Sequence, residues 1–231
     1  MSKLLLFVVS LFILSCNSKT KPINESKSKQ TVTTVKLTGK QIADGLDKRH
    51  FFDLTDAIDI TETKLAVEES YNTLHFFDGK MKGETTQYTD NRFYVVDCEE
   101  LFEIGGLTKY LDVVKISFEK LDLKLEYSNE KIIQAEKHWK HTIILNGKQY
   151  TAYDEDFNDT DWDLAFINFI EMLNDQLSRQ GSNEAFYPIN SGNGGRMVLL
   201  TPEQFQFVQA NFPSDENLPK SLNEWRTMYK F

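Results

Sequence analysis

The chain has 231 residues, 26% of them charged, with a formal net charge of −9 and two cysteines. Setting aside Lys3 and the net +4 of residues 17–36 leaves −14 on residues 37–231, a charge that repels nucleic acid and anionic membrane and suits a basic protein or a metal cation. Two cysteines build no disulfide framework, so stability must come from a core that seventeen Phe, nine Tyr and three Trp can fill.

Lys3 precedes an eleven-residue apolar run, 4–14 with Ser10 inside it, which leads to Ser15 and Cys16. A membrane-crossing helix needs about 20 apolar residues, so the run fits the core of a secretory signal that is removed on export. With Ile13 and Ser15 ahead of Cys16, this start resembles the lipobox of bacterial lipoprotein precursors. The resemblance implies that residues 1–15 are a signal peptide and that Cys16 becomes an acylated N-terminus. The mature chain would then hang from a membrane in the bacterial cell envelope, durably so with more than one acyl chain. Residues 17–36 are rich in Ser, Thr and Lys and poor in large apolar residues. Together with Cys16 they predict a disordered tether over 16–36. Its lysines either stay solvated or rest on anionic headgroups. No acidic run follows Cys16, which points to a periplasm-facing domain. With Cys16 committed to lipid, Cys98 stands alone.

Residues 37–231 read as one acidic α+β domain, with 37–128 and 129–231 as candidate halves. Thr38 and Gln41 form a capping box opening a helix to about Lys48. A helix follows over 61–70, then strands over 73–77 and 92–97 joined by a polar loop with Gly79 and Gly83. A helical stretch starts at Cys98 and breaks at Gly105-Gly106. Leu107, Tyr110, Leu111, Val114 and Phe118 line one face of the next helix. Leu121, Leu123, Leu125 and Tyr127 alternate with Asp122, Lys124 and Glu126, which predicts a half-buried strand. Asn146-Gly147 between the apolar runs 141–145 and 148–153 predicts a type I′ hairpin.

Asp161 opens the strongest helix, with Trp162, Phe166, Phe169, Ile170, Leu173 and Leu177 as its buried stripe and Gly181 as its stop. A second hairpin pairs 185–189 with 196–200 around a glycine-rich loop. Thr201 and Pro202 start the next helix. Ser221 and Glu224 cap a last one that buries Leu222 and Trp225. The fold class is therefore α+β, of antiparallel hairpins with helices packed on one face. Residues 92–101 also align with 196–205 as Arg, apolar strand, N-cap, acid, Glu or Gln, and apolar helix position. Either a ββα unit is duplicated, or two good strand-to-helix junctions converged.

The densest polar cluster is Asp154, Glu155, Asp156, Asn158, Asp159, Asp161 and Asp163. Oxygen ligands suit Ca²⁺, but Asp159 stands where an EF-hand loop from Asp154 needs Gly, and Ala165 where it needs Glu. Negative charge ahead of a helix is a sufficient structural reason for the cluster. His138 and His141, near Glu136, lack the spacing of a zinc protease, and only His50 and His75 remain as further imidazoles. Asp97, Glu99 and Glu100 disfavour a thiolate at Cys98, which reads as a buried structural residue. The loop 191–195 lacks the Gly-Lys-Ser/Thr ending of a phosphate loop. It is a hairpin turn with positive φ at Gly192, Gly194 or Gly195, whose tip residues Asn193 and Arg196 are binding candidates. No metal and no cofactor is assigned, and no catalytic signature is found.

Three roles follow. In the first, a lipid-anchored module binds or inhibits a basic protein such as a toxin, steered by Asp154, Glu155, Asp156, Asp159, Asp161 and Asp163. In the second, an envelope hydrolase assembles its site from distant residues. In the third, exposed aromatics among Tyr150, Tyr153, Trp162 and Tyr187 hold a small ligand or glycan.

Overall fold

The structure, a computed structural model, describes residues 37–72, 79–83, 87–212 and 217–230. The expected signal peptide, acylated Cys16 and tether, and the strand expected over 73–77, lie outside the described residues. No helix among the described residues is long and apolar enough to cross a membrane.

Two three-stranded antiparallel sheets organise the domain. The first has the order β1 (Phe93–Val96), β6 (Gly195–Leu200), β5 (Ala185–Asn190); the second runs β2 (Tyr127–Ala135), β3 (His138–Leu145), β4 (Lys148–Asp156). The helices are α1 (Gly39–Asp47), α2 (Ile60–Asn72), α3 (Cys98–Phe102), α4 (Gly106–Lys120), α5 (Asp161–Arg179), α6 (Pro202–Asn211) and α7 (Leu222–Tyr229). The α+β architecture of antiparallel hairpins with packed helices is therefore present.

Helices cover more than one face, however. Along β6, Met197 and Leu199 enter one core with α4, α5 and the second sheet, while Val198 and Leu200 enter another with α1, α2 and α6. Tyr94 and Val96 of β1 face the first core and Phe93 the second. A sheet buried on both faces reads as a continuous apolar run rather than an alternating one, as Phe93–Val96 does. Strands from both candidate halves, 37–128 and 129–231, share this sheet.

Local chemistry sets most boundaries. Capping boxes start α1 at Thr38, α6 at Thr201 and α7 at Ser221. Asn146 and Gly147 both take positive φ in the β3–β4 turn. Gly181, at φ 83°, ends α5 as Ser182 N–H donates to Leu177 O at 3.1 Å and Gly181 N–H to Ser178 O at 3.0 Å, a Schellman stop. Trp225 of α7 is buried, while Leu222 is half-buried.

The strand expected over 121–127 is not one. Its side chains alternate in exposure, but β2 begins only at Tyr127. Distant amides meet its backbone instead. Gln180 accepts from Lys124 N–H at 2.8 Å, and Asn146 accepts from Glu126 N–H at 2.8 Å while donating to Lys124 O at 3.0 Å. At the edge of the first sheet, Asn174 of α5 exchanges two hydrogen bonds with the Phe186 backbone, at 2.7 and 2.9 Å. This closes an edge that would otherwise invite another strand.

Segments 92–101 and 196–205 both form strand, N-cap and helix. Their strands pair antiparallel with Phe93 opposite Val198 and Tyr94 opposite Met197, so each residue meets the equivalent of its neighbour rather than its own. The caps differ: Gln204 reaches back to Thr201 N–H, whereas the Glu100 side chain turns to Lys109 and Tyr110. The hairpin partner that duplication requires in the first half falls on 73–77, outside the described residues.

Candidate functional site

The acidic stretch begins on a strand and ends in a helix. Asp154, Glu155 and Asp156 close β4, residues 157–160 form a loop, and Asp161 and Asp163 lie in the first turn of α5. These acids do different things. Asp161 is buried and accepts from the Tyr153 hydroxyl at 2.5 Å and from Asn158 N–H at 2.9 Å. It ties the loop to the sheet, which corrects its expected place among the surface acids. Asp154 accepts from Lys140 Nζ at 2.5 Å and His138 Nε2 at 2.9 Å, and Asp156 lies 3.1 Å from His138 Nδ1. Lys140 and then His138 hold the Asp154 carboxyl below the usual carboxylate range, while the two aspartates raise the His138 imidazole. The side chains of Glu155, Asp159 and Asp163 have no hydrogen bond or ion pair among the described residues.

Phe157 and Trp162 flank the loop, 43% and 39% exposed, and are the only exposed Phe, Tyr or Trp rings among the described residues. The expected burial of Trp162 in the α5 stripe is thus corrected: the seat at the head of that stripe goes to Asp161, drawn in by Tyr153. A hollow of about 330 Å³ opens beside Trp162, lined with Asn158, Asp159 and Asp161. Phe157 rests on a ring cluster, with its centroid 5.4 Å from Trp139 and 6.0 Å from Phe102. The Trp139 indole N–H is buried without an acceptor. Ile104, 67% exposed, lies two residues beyond Phe102.

The β5–β6 loop carries the remaining candidates. Only Gly192 of its three glycines takes positive φ, because the tip is a 3-10 turn over Gly192–Gly194. Asn193 is exposed at that tip, and Arg196 donates to Asn190 Oδ1 at 3.1 Å. Cys98 lies between this loop and α5. Burial pushes its thiol up to about 12, opposed by a backbone hydrogen bond from Gly192 and reinforced by Asp163. It is a core residue with no nucleophile at neutral pH.

The histidine pair is split by the strand that carries it. His138 faces the solvent-side aspartates, whereas His141 is buried and its Nε2 lies 2.8 Å from Glu130 Oε1. Glu130 also accepts from Gly105 N–H at 2.9 Å and from the backbone and hydroxyl of Thr108. It caps α4, whose own N-cap residue, Gly105, has no side chain. Burial raises the Glu130 carboxyl, but His141 and Thr108 outweigh it and bring it down to about 2. Among the described residues no three His, Cys, Asp or Glu side chains gather to hold a metal ion. Tyr150 and Tyr153 are buried and Tyr187 stacks on Phe205 at 4.2 Å, so Trp162 alone of the four proposed aromatic binders is open.

A second polar cluster was not read from the sequence. Thr89, Asp90, Asn91 and Arg92 are four consecutive buried polar residues. Arg92 donates to Phe51 O at 2.5 Å, His50 O at 3.1 Å, Leu199 O at 3.1 Å and Glu184 Oε1 at 3.3 Å. Asp90 Oδ1 accepts from Arg92 N–H at 2.8 Å and Phe93 N–H at 3.2 Å, while Oδ2 has no partner. Burial raises the Asp90 carboxyl to about 6. The cluster joins β1 and β6 to the turn after α1, and none of the described cavities is lined by it. The largest of these, about 590 Å³, is an open groove between α6 and α7 lined by Leu218, Pro219 and Met228 among others.

No family model, no curated protein and no solved structure matches the chain.

Proposed function

We propose that this chain is a lipid-anchored protein of the bacterial envelope whose acidic domain acts by binding a basic protein, as an inhibitor or immunity factor does. The leader residues Ile13, Ser15 and Cys16 support the anchor. The observation that carries the binding role is the set of acids Glu155, Asp159 and Asp163, close together in the chain, whose side chains have no partner among the described residues. Charges that hold nothing internally are free to raise the encounter rate with a positive surface, an effect that weakens with salt.

Two measurements test the reading. Wild type and Cys16→Ala are fractionated from cells; the variant should leave the membrane fraction. The triple variant E155Q/D159N/D163N is then compared with wild type for capture of basic envelope proteins at low and high salt. Capture that ignores both the substitutions and the salt would remove the binding role.

A further inference from the structure

We infer that Phe157 and Trp162, at the two ends of the loop before α5, form the docking seat for a Lys/Arg-rich protein segment that also carries an apolar anchor side chain. The inference rests on the reading that the domain binds a basic partner, and it names where and by what chemistry. Burial of aromatic rings is the rule in this domain, so exposing a Phe and a Trp five residues apart forgoes a large favourable term. Both open rings fall inside the acidic stretch. Phe157 sits on Trp139 and Phe102, which gives it a rigid floor. Trp162 borders the hollow of about 330 Å³, and no other ring among the described residues packs on it. Aromatics of this kind, held rigid and rimmed by polar groups, carry most of the energy in protein interfaces.

Charge selects the occupant. Asp159 lines the hollow with Trp162, Glu155 lies opposite Trp139, on which Phe157 packs, and Asp163 follows Trp162 in the chain. Their side chains have no partner among the described residues, so an acidic or neutral apolar partner would bury these charges without compensation. A basic segment pairs them, and its apolar side chain covers the rings. The rim then sets the association rate, and the rings set the lifetime of the complex.

The test uses two synthetic peptides of equal positive charge, one bearing Leu and Trp among its Arg and Lys residues and one with Ser in their place. Both are titrated against the full chain in detergent. The apolar peptide should bind wild type about tenfold more tightly than the serine peptide. That advantage should vanish in F157S/W162S. It should persist in E155Q/D159N/D163N, which weakens both peptides alike. W162S alone, removing a ring that packs on no other ring, guards against a folding defect in the double variant. Equal affinity of the two peptides, or an unchanged ratio in W162S and F157S/W162S, overturns the seat and leaves charge steering intact. Failure of both peptides to bind overturns the seat and the basic-partner reading together. Concentration-dependent self-association of wild type that W162S abolishes would assign the rings to a second copy of this chain and overturn the proposal.

Discussion

Asp90 should make the domain less stable as pH rises, and replacing it with Asn should remove that loss. Its carboxyl is wholly buried, one oxygen is satisfied by two backbone N–H groups, and the other has nothing to accept from. Burial lifts it from 3.8 to about 6, so the folded state holds the proton more tightly than the unfolded chain. Folding takes up that proton between pH 4 and 6. The contribution is therefore most favourable below the unfolded value, declines as pH climbs through 6, and stays lost above it. Two pH units at roughly 1.4 kcal/mol each amount to about 3 kcal/mol between pH 4 and pH 8. Asp90→Asn keeps the acceptor oxygen for Arg92 and Phe93 and removes the titration. Urea denaturation of wild type and variant at pH 4.5 and pH 8, at fixed ionic strength, measures the difference. The variant should gain on wild type by about 2–3 kcal/mol on going to pH 8. Identical pH dependence in the two proteins would refute the reasoning, since every other carboxylate is common to both.

Glu130→Gln should lose about 1–3 kcal/mol at pH 7, through weaker bonds to His141 and the α4 N-terminus. Because the folded carboxyl is depressed to about 2, its contribution is present above the unfolded value near 4.5 and fades as pH falls toward 2; thermal melts at pH 7 and pH 3 should converge for the two proteins. Native Cys98, with its thiol raised by burial, should resist a thiol reagent at pH 8 and react once urea unfolds the chain. Fast labelling of the folded protein would contradict the core assignment. Asn174→Ala should cost about 1–2 kcal/mol by chemical denaturation and increase aggregation on heating, because the Phe186 backbone would lose both partners at a sheet edge.

What could be read ahead of the structure was the chemistry of short range. The capping residues at Thr38, Thr201 and Ser221, the Asn146-Gly147 turn and the Gly181 stop each need only near neighbours in the chain. The face of α4 from Leu107 to Phe118 is fully buried, as its spacing predicts. Strand β2 was missed because Asn129, at φ 55°, and a bulge between Ser128 and Lys131 break the alternation that marks a strand. Residues 121–126 show the opposite failure: the alternation is real, but the ladder is replaced by Gln180 and Asn146. The acid stretch was visible as a stretch, yet not the removal of Asp161 from it, which depends on Tyr153 across the strand end. Arg92 with Glu184, ninety-two positions apart, and Glu130 with His141 are tertiary pairings that no local pattern announces.

Asn146 ends with a different lesson, one about ageing. Its amide nitrogen serves Lys124 O and also Gln176 Oε1, at 2.7 Å, and it precedes the glycine that leaves an asparagine most open to attack by the next backbone nitrogen. Heat-labile amides of this sort are chemical liabilities in long-lived proteins. Hydrolysis there would swap a donor for an oxygen facing two other oxygens. The strap that stands in for a missing strand would then let go, without any change in the gene.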